Sequence, residues 1–167
     1  MSKLRAAAVR PLSAALFAGL SALSFGAAKA EPALPRTTVV IDTDKGPFLF
    51  HVEVAGDAAS QERGLMFRTK MANDAGMLFD FHKPQWEAFW MKNTVLPLDM
   101  LFIREDGTIS SVAPDAVPFS LATIPSAEPV RAVLEINGGR AAALGIAPDQ
   151  HVHNAIFGNA LKDQPSR

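Results

Sequence analysis

The chain has 167 residues, with 16 basic side chains, 17 acidic side chains, four histidines and no cysteine, so its formal net charge is −1. The absence of cysteine excludes disulfide-stabilised scaffolds and thiolate metal sites, so stability must come from packing. Without the first 30 residues, which are discussed below, the chain has 137 residues; this length fits one ordinary domain of roughly 100 to 150 residues, which can bury a sizeable hydrophobic core.

The first 30 residues have the pattern of a secretory signal peptide. Three basic residues precede an apolar run from Pro11 to about Phe25, and the small residues of Ala28-Lys29-Ala30 suit signal peptidase. We therefore expect cleavage near Ala30 and an exported, periplasmic or secreted protein without a stable membrane anchor. Residues 31–167 keep 12 basic and 17 acidic residues, a net charge of −5. This charge disfavours nucleic acid as a partner.

The first third of the exported chain predicts two strands and a short helix. Thr38–Asp42 and Phe48–Val54 have β character, and apolar residues alternate along the second segment with the period of a half-buried strand. Asp57 is suited to cap the start of a helix over Ala58–Arg63, and Gly64 to end it.

The rest of the chain predicts short strands and one more helix. Glu105-Asp106-Gly107 is a strong hairpin signal between two of these strands. The expected strands are Gly76–Phe81, Trp86–Met91, Leu98–Arg104, Ile109–Val112, Val130–Ile136 and His151–Ile156, and the expected helix is Gly139–Leu144.

A proline-rich segment, Ala113–Pro129, interrupts this pattern with four prolines. Prolines at this density exclude a helix or a central strand, which predicts a long loop. Phe119, Leu121 and Ile124 suggest that the loop packs back onto the sheet. Loops of this length in compact domains usually bind or cover something.

These elements predict a mainly β protein. Many short strands with two brief helices favour a single-domain antiparallel β-sandwich or a partly closed, jelly-roll-like barrel. An α+β domain is the alternative, because both helices could lie on one face of the sheet. We expect a core over about residues 39–157, a frayed tail after Leu161 and a monomer.

Five ordered sequence blocks resemble the DUF192 family in order and spacing, and they cover nearly the whole exported domain, from about Val39 to Val152. The resemblance implies a single β-rich domain similar to jelly-roll sandwiches, found in bacteria and archaea and often exported. It implies no settled biochemical activity. The blocks are Glu62–Arg68, Gly76–Phe79, Phe89–Thr94, Pro97–Phe102 and Val133–Glu135.

The segment from Trp90 to Asp99 is the leading candidate for a ligand site. Beside Trp90 it places the polar side chains of Lys92, Asn93, Thr94 and Asp99, and such convergent groups beside aromatics are typical of small-molecule sites. Asp99 interrupts an otherwise apolar strand. It could accept backbone N–H groups of the loop at 92–96, or it could serve as ligand acceptor or general base at a pocket mouth.

Two further charged residues belong to the candidate site. Arg63 in the last turn of the first helix would complement the helix dipole, and this role alone could explain it. Glu135 is expected on a polar strand face, where it would be solvated or would pair with Arg63 or Lys92. A sharper hypothesis pairs Glu135 with Asp99 across a cleft, where two carboxylates could cleave a glycosidic bond.

The sequence also contains possible metal ligands. His151 and His153 could supply half of a site, but zinc needs at least a third protein ligand. Methionine clusters can bind Cu(I), but methionine more often fills gaps in the core. We therefore expect no metal and no cofactor.

Three functional hypotheses follow from these features. The favoured one is a non-enzymatic module that binds a small polar ligand, such as a saccharide or an envelope fragment, through the Trp90–Asp99 segment. The first alternative is an envelope carbohydrate hydrolase or lyase that uses Asp99 and Glu135. The second is a protein-interaction module that uses the loop at 113–129. Because the sequence has no Ser-His-Asp pattern and no cysteine nucleophile, catalysis is the less favoured outcome.

Overall fold

The computed structural model describes residues 33–161, which form a mainly β domain with two short α-helices. The predicted signal peptide and the predicted C-terminal tail lie outside the described residues. The elements are β1 (Arg36–Thr43), β2 (Gly46–Ala55), α1 (Ala58–Arg63), β3 (Ala75–Gln85), β4 (Ala88–Phe89), β5 (Leu98–Ile103), β6 (Ile109–Ala116), β7 (Ile124–Pro125), β8 (Val130–Asn137), α2 (Arg140–Leu144) and β9 (Val152–His153), with a final 3-10 turn over Ala155–Phe157.

Seven of these strands form one sheet in the order β6-β5-β8-β3-β2-β1-β9, and β4 pairs with β7 in a small second sheet. Neighbouring strands run antiparallel except for β2 and β3, which are parallel. A parallel pair needs a crossover connection, and α1 lies within that connection. The helix is thus placed beside the strands that carry the site described below.

The large sheet curls strongly, so that its two ends approach each other. Thr108, just before β6, forms a bridge with His151, just before β9. The Val152 N–H donates to the Gly107 carbonyl at 2.8 Å, and the Ile109 N–H donates to the Gln150 carbonyl at 2.9 Å. The result is a half-barrel with a small second sheet, which confirms the predicted mainly β, barrel-like fold.

Strands β3, β5 and β8 are covered by apolar side chains on both faces. The inner cluster, inside the curl, includes Ile41, Phe50, Leu78, Leu101, Leu134 and Val152. The outer cluster, on the opposite face of the sheet, includes Leu65, Met77, Phe79, Met91, Met100, Phe102 and Val133. A polar side chain in the middle of β5 or β8 is therefore buried whichever way it points.

Helix α1 has the predicted bounds. Its N-cap, Asp57, accepts hydrogen bonds from the backbone N–H groups of Ala59 and Ser60 at 3.0 Å, and the Ser60 hydroxyl accepts from the Asp57 N–H at 3.2 Å. Gly64 follows with a φ of 48°, and a Cβ atom there would lie 3.2 Å from the Phe79 ring. Glycine at this position lets the chain leave the helix close against β3.

Several predicted strand bounds were wrong. Of the expected strand Trp86–Met91, only Ala88 and Phe89 form strand pairs, with Pro125 and Ile124 of β7. The last strand is likewise reduced to Val152–His153, followed by the 3-10 turn. Strand β6 continues through Pro114, because β6 ends the sheet order and a residue without an N–H is tolerated on such a strand.

The proline-rich loop only partly packs on the sheet. Ile124 contacts the outer cluster, as expected. Phe119 and Leu121 are 60% and 67% exposed, so the prediction that they pack inward was wrong. These apolar side chains remain on the surface.

Candidate functional site

A cavity of about 300 Å³ lies against the outer face of the sheet, and we call it the Glu135 cavity. Its size falls at the lower end of the range for small-molecule sites. Helix α1 and the turn after it form one wall, and the segment around β4 forms another. The lining residues are Gln61, Glu62, Arg63, Gly64, Leu65, Met66, Phe79, Phe81, Glu87, Ala88, Phe89, Trp90, Thr94 and Glu135.

Glu135 is the most unusual residue of this cavity. It lies in the middle of β8, where its register partners Met77 and Met100 are completely buried, and it is itself only 4% exposed. Within residues 33–161, no group donates a hydrogen bond to its carboxyl. Burial alone raises the pKa of Glu135 from 4.5 to about 8. A buried carboxyl with a perturbed pKa in a cleft is a recognised mark of a functional site.

The sequence-based interpretation of Glu135 as a residue on a solvated face was wrong. Strand β8 lies between β5 and β3, so the face that carries Glu135 is covered by the outer cluster. An ion pair with Lys92 was also considered, but the Lys92 Nζ lies 4.9 Å from the centroid of the Trp90 ring in a cation–π contact. Arg63, in contrast, lines the same cavity as Glu135.

Aromatic rings form much of the apolar wall. The Phe89 ring meets Phe79 edge-to-face, with centroids 5.0 Å apart, and it meets Phe81 and Phe102 at 6.4 and 6.1 Å. Such contacts add stability beyond simple burial. The two-residue strand β4 is thereby anchored to β3 and β5, which keeps the cavity wall in place.

The segment after β4 contributes two of its predicted residues to the cavity. Trp90 and Thr94 line it, and the Thr94 hydroxyl donates to the Lys92 carbonyl at 3.2 Å. Asn93 has a left-handed φ of 55°, and its carbonyl accepts the Phe67 N–H at 2.9 Å. The backbone of Asn93 thus joins this segment to the turn that follows α1.

Asp99 occupies a different environment. It is completely buried, and its carboxylate accepts backbone N–H groups from Asp115 at 2.8 Å, Gly139 at 3.0 Å and Ala141 at 2.7 Å. One sequence-based interpretation expected such bonds, but from the loop at 92–96, and that location was wrong. Asp99 instead fixes the end of β6 and the start of α2.

The structure does not bring Asp99 and Glu135 together. Their strands are neighbours, but Asp99 pairs with Ile136, whereas Glu135 pairs with Met100. Because side chains alternate between the faces of a strand, the two carboxylates lie on opposite faces of the sheet. The cleft in which they were expected to pair is not formed.

The possible metal ligands make ordinary contacts in the structure. The Nε2 atom of His153 lies 2.7 Å from the Asp42 carboxylate, and its Nδ1 atom lies 3.2 Å from the Asn159 carbonyl. No group of three His, Cys, Asp or Glu residues suited to a metal occurs in the described part of the chain. Met77, Met91 and Met100 are buried in the outer cluster.

Sequence reasoning missed the hydrophobic lining of the cavity. Leu65, Phe79, Phe81 and Phe89 were expected only as members of elements or sequence blocks, since apolar residues in strands normally indicate core. The signal that could have pointed to them was Glu135 itself, a single acidic residue on a strand of apolar neighbours. Its importance depends on strand order, which single-sequence patterns do not provide.

Comparison with known proteins identifies relatives of similar fold. A structure from Sinorhizobium meliloti 1021, described provisionally as a transcription regulator, is 45% identical, has a TM-score of 0.74, and covers 76% of this chain and 99% of its own. A protein of unknown function from Novosphingobium aromaticivorans DSM 12444 is 40% identical, has a TM-score of 0.71, and covers 75% of this chain and 94% of its own.

No curated protein matches the chain. Among residues 33–161, no helix is long and apolar enough to cross a membrane. The family model of DUF192, described as an uncharacterized ACR, matches residues 39–154, which is more than half of the chain. The chain therefore belongs to the DUF192 family.

Proposed function

We propose that this protein is a non-enzymatic binding module that takes a small polar ligand into the Glu135 cavity. The observation that carries the proposal is the carboxyl of Glu135, which is 4% exposed, has no hydrogen-bond donor in the described residues and faces a cavity with aromatic walls. Ionising a carboxyl that is largely removed from water is costly, and a bound ligand with a complementary group would offset this cost.

The site in this proposal differs from the one expected from the sequence. Of the residues expected from the sequence, Trp90, Thr94, Arg63 and Glu135 line the cavity. Asp99 supports the fold from the opposite face of the sheet. The export signal predicted in the first 30 residues would place such a module in the periplasm or outside the cell, where envelope fragments are available ligands.

Hydrolysis by two carboxylates has less support. Glycosidases place their two carboxyl groups on either side of one bond, about 5 to 10 Å apart across an open cleft. Here the carboxylate of Asp99 is enclosed by three backbone N–H groups on the other face of the sheet. It has neither access to a substrate in the Glu135 cavity nor an oxygen directed toward it.

A thermal-shift screen tests the binding proposal. The purified protein and the variant Glu135→Gln would be heated with muropeptides, oligosaccharides, amines and amino acids. Ligand at about 100 times its Kd stabilises the folded state by roughly 2.7 kcal/mol, which raises the Tm by several degrees. We expect a compound that shifts the wild type but not the variant.

Two outcomes would contradict the proposal. An equal rise in the Tm of wild type and Glu135→Gln would show that the ligand binds outside the Glu135 cavity. No rise in Tm with any compound would show that the cavity binds none of these ligand classes. Glu105→Gln is the matched control, because Glu105 is exposed in the turn between β5 and β6. It should respond as the wild type does.

An exposed apolar surface favours a second candidate function, a protein-interaction module. Phe67, Phe119 and Leu121 are 60 to 67% exposed. The N–H groups of Phe67 and Phe119 donate to the adjacent carbonyls of Asn93 and Thr94, so two exposed rings flank one short segment. Contiguous exposed apolar surface often marks an interface.

A double variant, Phe119→Ser with Leu121→Ser, tests this second function. The double variant should no longer form a crosslink to a partner protein, while ligand-induced thermal shifts remain unchanged. Retention of every crosslink by the double variant would contradict the interaction role of this loop.

A further inference from the structure

Resting on the proposed function, we infer that the ligand of the Glu135 cavity is a small organic cation, with an ammonium group on the Glu135 carboxylate and an apolar part among the aromatic rings. The inference rests on three features of the cavity: the surroundings of Glu135, the aromatic wall and the balance of charges. Together these features favour a cation with an apolar part.

The neighbours of Glu135 in the sheet provide no compensation for a negative charge. Its neighbours in the sheet, Met77 and Met100, have no hydrogen-bond donors, and nothing within residues 33–161 donates to the carboxyl. An ammonium group supplies both the opposite charge and three N–H donors in one compact unit. Charge-assisted hydrogen bonds of this kind are about twice as strong as neutral ones.

The aromatic wall suits a cation with an apolar substituent. Rings of Phe79, Phe81, Phe89 and Trp90 line the cavity, and the negative face of an aromatic ring attracts an ammonium group. The protein already uses this attraction at Trp90, where the Lys92 ammonium lies 4.9 Å from the centroid of the ring.

The balance of charges also favours a cation. Helix α1 contributes Glu62 and Arg63 to the cavity, the segment before β4 contributes Glu87, and β8 contributes Glu135. Strands β3 and β5 place methionines beside Glu135, and the Lys92 ammonium lies over the ring of Trp90, which lines the cavity. Among the described residues, these charges balance while Glu135 is protonated, and ionisation of Glu135 leaves one excess negative charge that a cationic ligand would neutralise.

Binding of a cation should release a proton. Burial raises the pKa of Glu135 to about 8, so the carboxyl of the empty site is mostly protonated at neutral pH. An ammonium ligand binds the ionised carboxylate, and the displaced proton passes to the buffer. The affinity should therefore rise about tenfold per pH unit well below pH 8 and become constant above it.

Isothermal titration calorimetry with matched probes tests the inference. We would titrate the purified protein with 2-phenylethylammonium, n-butylammonium, the neutral analogue 2-phenylethanol and the anion phenylacetate. Each titration would be repeated at pH 6 to 9 in phosphate and in Tris, whose different ionisation enthalpies reveal proton release. We expect an ammonium probe to bind with release of close to one proton per ligand at pH 7.

Variants test whether ammonium binding and proton release depend on the carboxyl group of Glu135. Glu135→Gln should lower the affinity for the ammonium probe about 10- to 100-fold, the usual value of a hydrogen bond to a charged group, and abolish proton release. Glu105→Gln, an exposed change of the same chemistry, should bind as the wild type does. A circular dichroism melt would check that both variants are folded.

Failure of the inference can be distinguished from failure of the proposed function. If 2-phenylethanol or phenylacetate binds and neither ammonium probe does, the cation inference is wrong and the binding module stands. Ammonium binding without proton release, or unchanged in Glu135→Gln, would also overturn the inference. If none of the four probes binds at any pH, the inference is wrong, and the broader thermal-shift screen alone decides the proposed function.

Discussion

Two buried carboxylates on neighbouring strands, Asp99 on β5 and Glu135 on β8, have opposite surroundings. Asp99 is completely buried and accepts three backbone N–H groups. Glu135 is nearly as buried, accepts no hydrogen bond from the described residues and faces a cavity. One sheet therefore separates a carboxylate that connects loops from a carboxyl group that faces a cavity.

The difference shows that burial alone does not identify a functional carboxyl. A buried carboxylate is compatible with a stable fold when its oxygens accept hydrogen bonds, and it can then hold neighbouring loops together. An acceptor without a partner lowers stability, so its presence calls for an explanation outside folding. The following predictions test this contrast.

The largest expected effect belongs to Asp99→Ala. The change removes the acceptor for three backbone N–H groups and leaves these donors without a partner in the interior. We expect a loss of about 3 to 5 kcal/mol in the free energy of unfolding, measured by urea denaturation. Asp74→Ala, at an exposed aspartate, is the control and should unfold much like the wild type. A loss below about 1 kcal/mol in Asp99→Ala would remove the contrast between the two carboxylates.

Glu135→Gln should instead raise the free energy of unfolding, and the size of this gain should depend on pH. The pKa of Glu135 is about 8 in the folded state against an ordinary value of 4.5, so the unfolded chain binds fewer protons between these values. Stability from this group is therefore complete below pH 4.5 and lost as the pH rises through 8. Gln cannot ionise, so the variant should gain about 2 to 4 kcal/mol relative to the wild type by pH 8.

Urea titrations of wild type and Glu135→Gln from pH 4.5 to 8.5 measure this difference. The gap between the two unfolding free energies should widen with pH and then level off above pH 8. A constant gap would mean that Glu135 ionises normally in the folded protein. Glu105→Gln should follow the wild type across the same range.

The smallest effect concerns a third carboxylate, Glu53 on β2, which has a cationic partner. The guanidinium of Arg68 donates to both of its oxygens, with Nη1 at 3.1 Å from Oε1. This hydrogen bond lowers the pKa of Glu53, so its contribution is present above pH 4.5 and lost as the pH falls through the lowered value. Arg68→Ala should cost about 0.5 to 1 kcal/mol at pH 7, because the pair is partly exposed to solvent.

Urea denaturation at pH 7 and pH 3 measures the Arg68 effect, which should shrink at the lower pH. Arg36→Ala is the matched control. The Arg36 Nη2 lies 3.7 Å from the same carboxylate, but its side chain is 79% exposed, so its loss should have less effect. An equal loss in both variants would show that the bidentate contact of Arg68 adds nothing.

Local signals in the sequence were sufficient for several elements. The helix over Ala58–Arg63 follows from the capping preference of Asp57 and the glycine after it, and the β5–β6 hairpin follows from its turn residues. Both are determined within a few residues of chain, where propensity and turn chemistry act. The mainly β class follows in the same way from many short apolar segments.

Tertiary structure decided the candidate site. The sequence marked Arg63, Trp90, Thr94 and Glu135 as candidates, but their meeting in one cavity depends on the crossover through α1 and on the order of β5, β8 and β3. Asp99 was marked as well, and a shift of one position relative to Glu135 in the strand register placed it on the opposite face. Register and strand order arise from contacts between distant segments, so the sequence determined which polar residues were unusual and the fold determined which of them line one cavity.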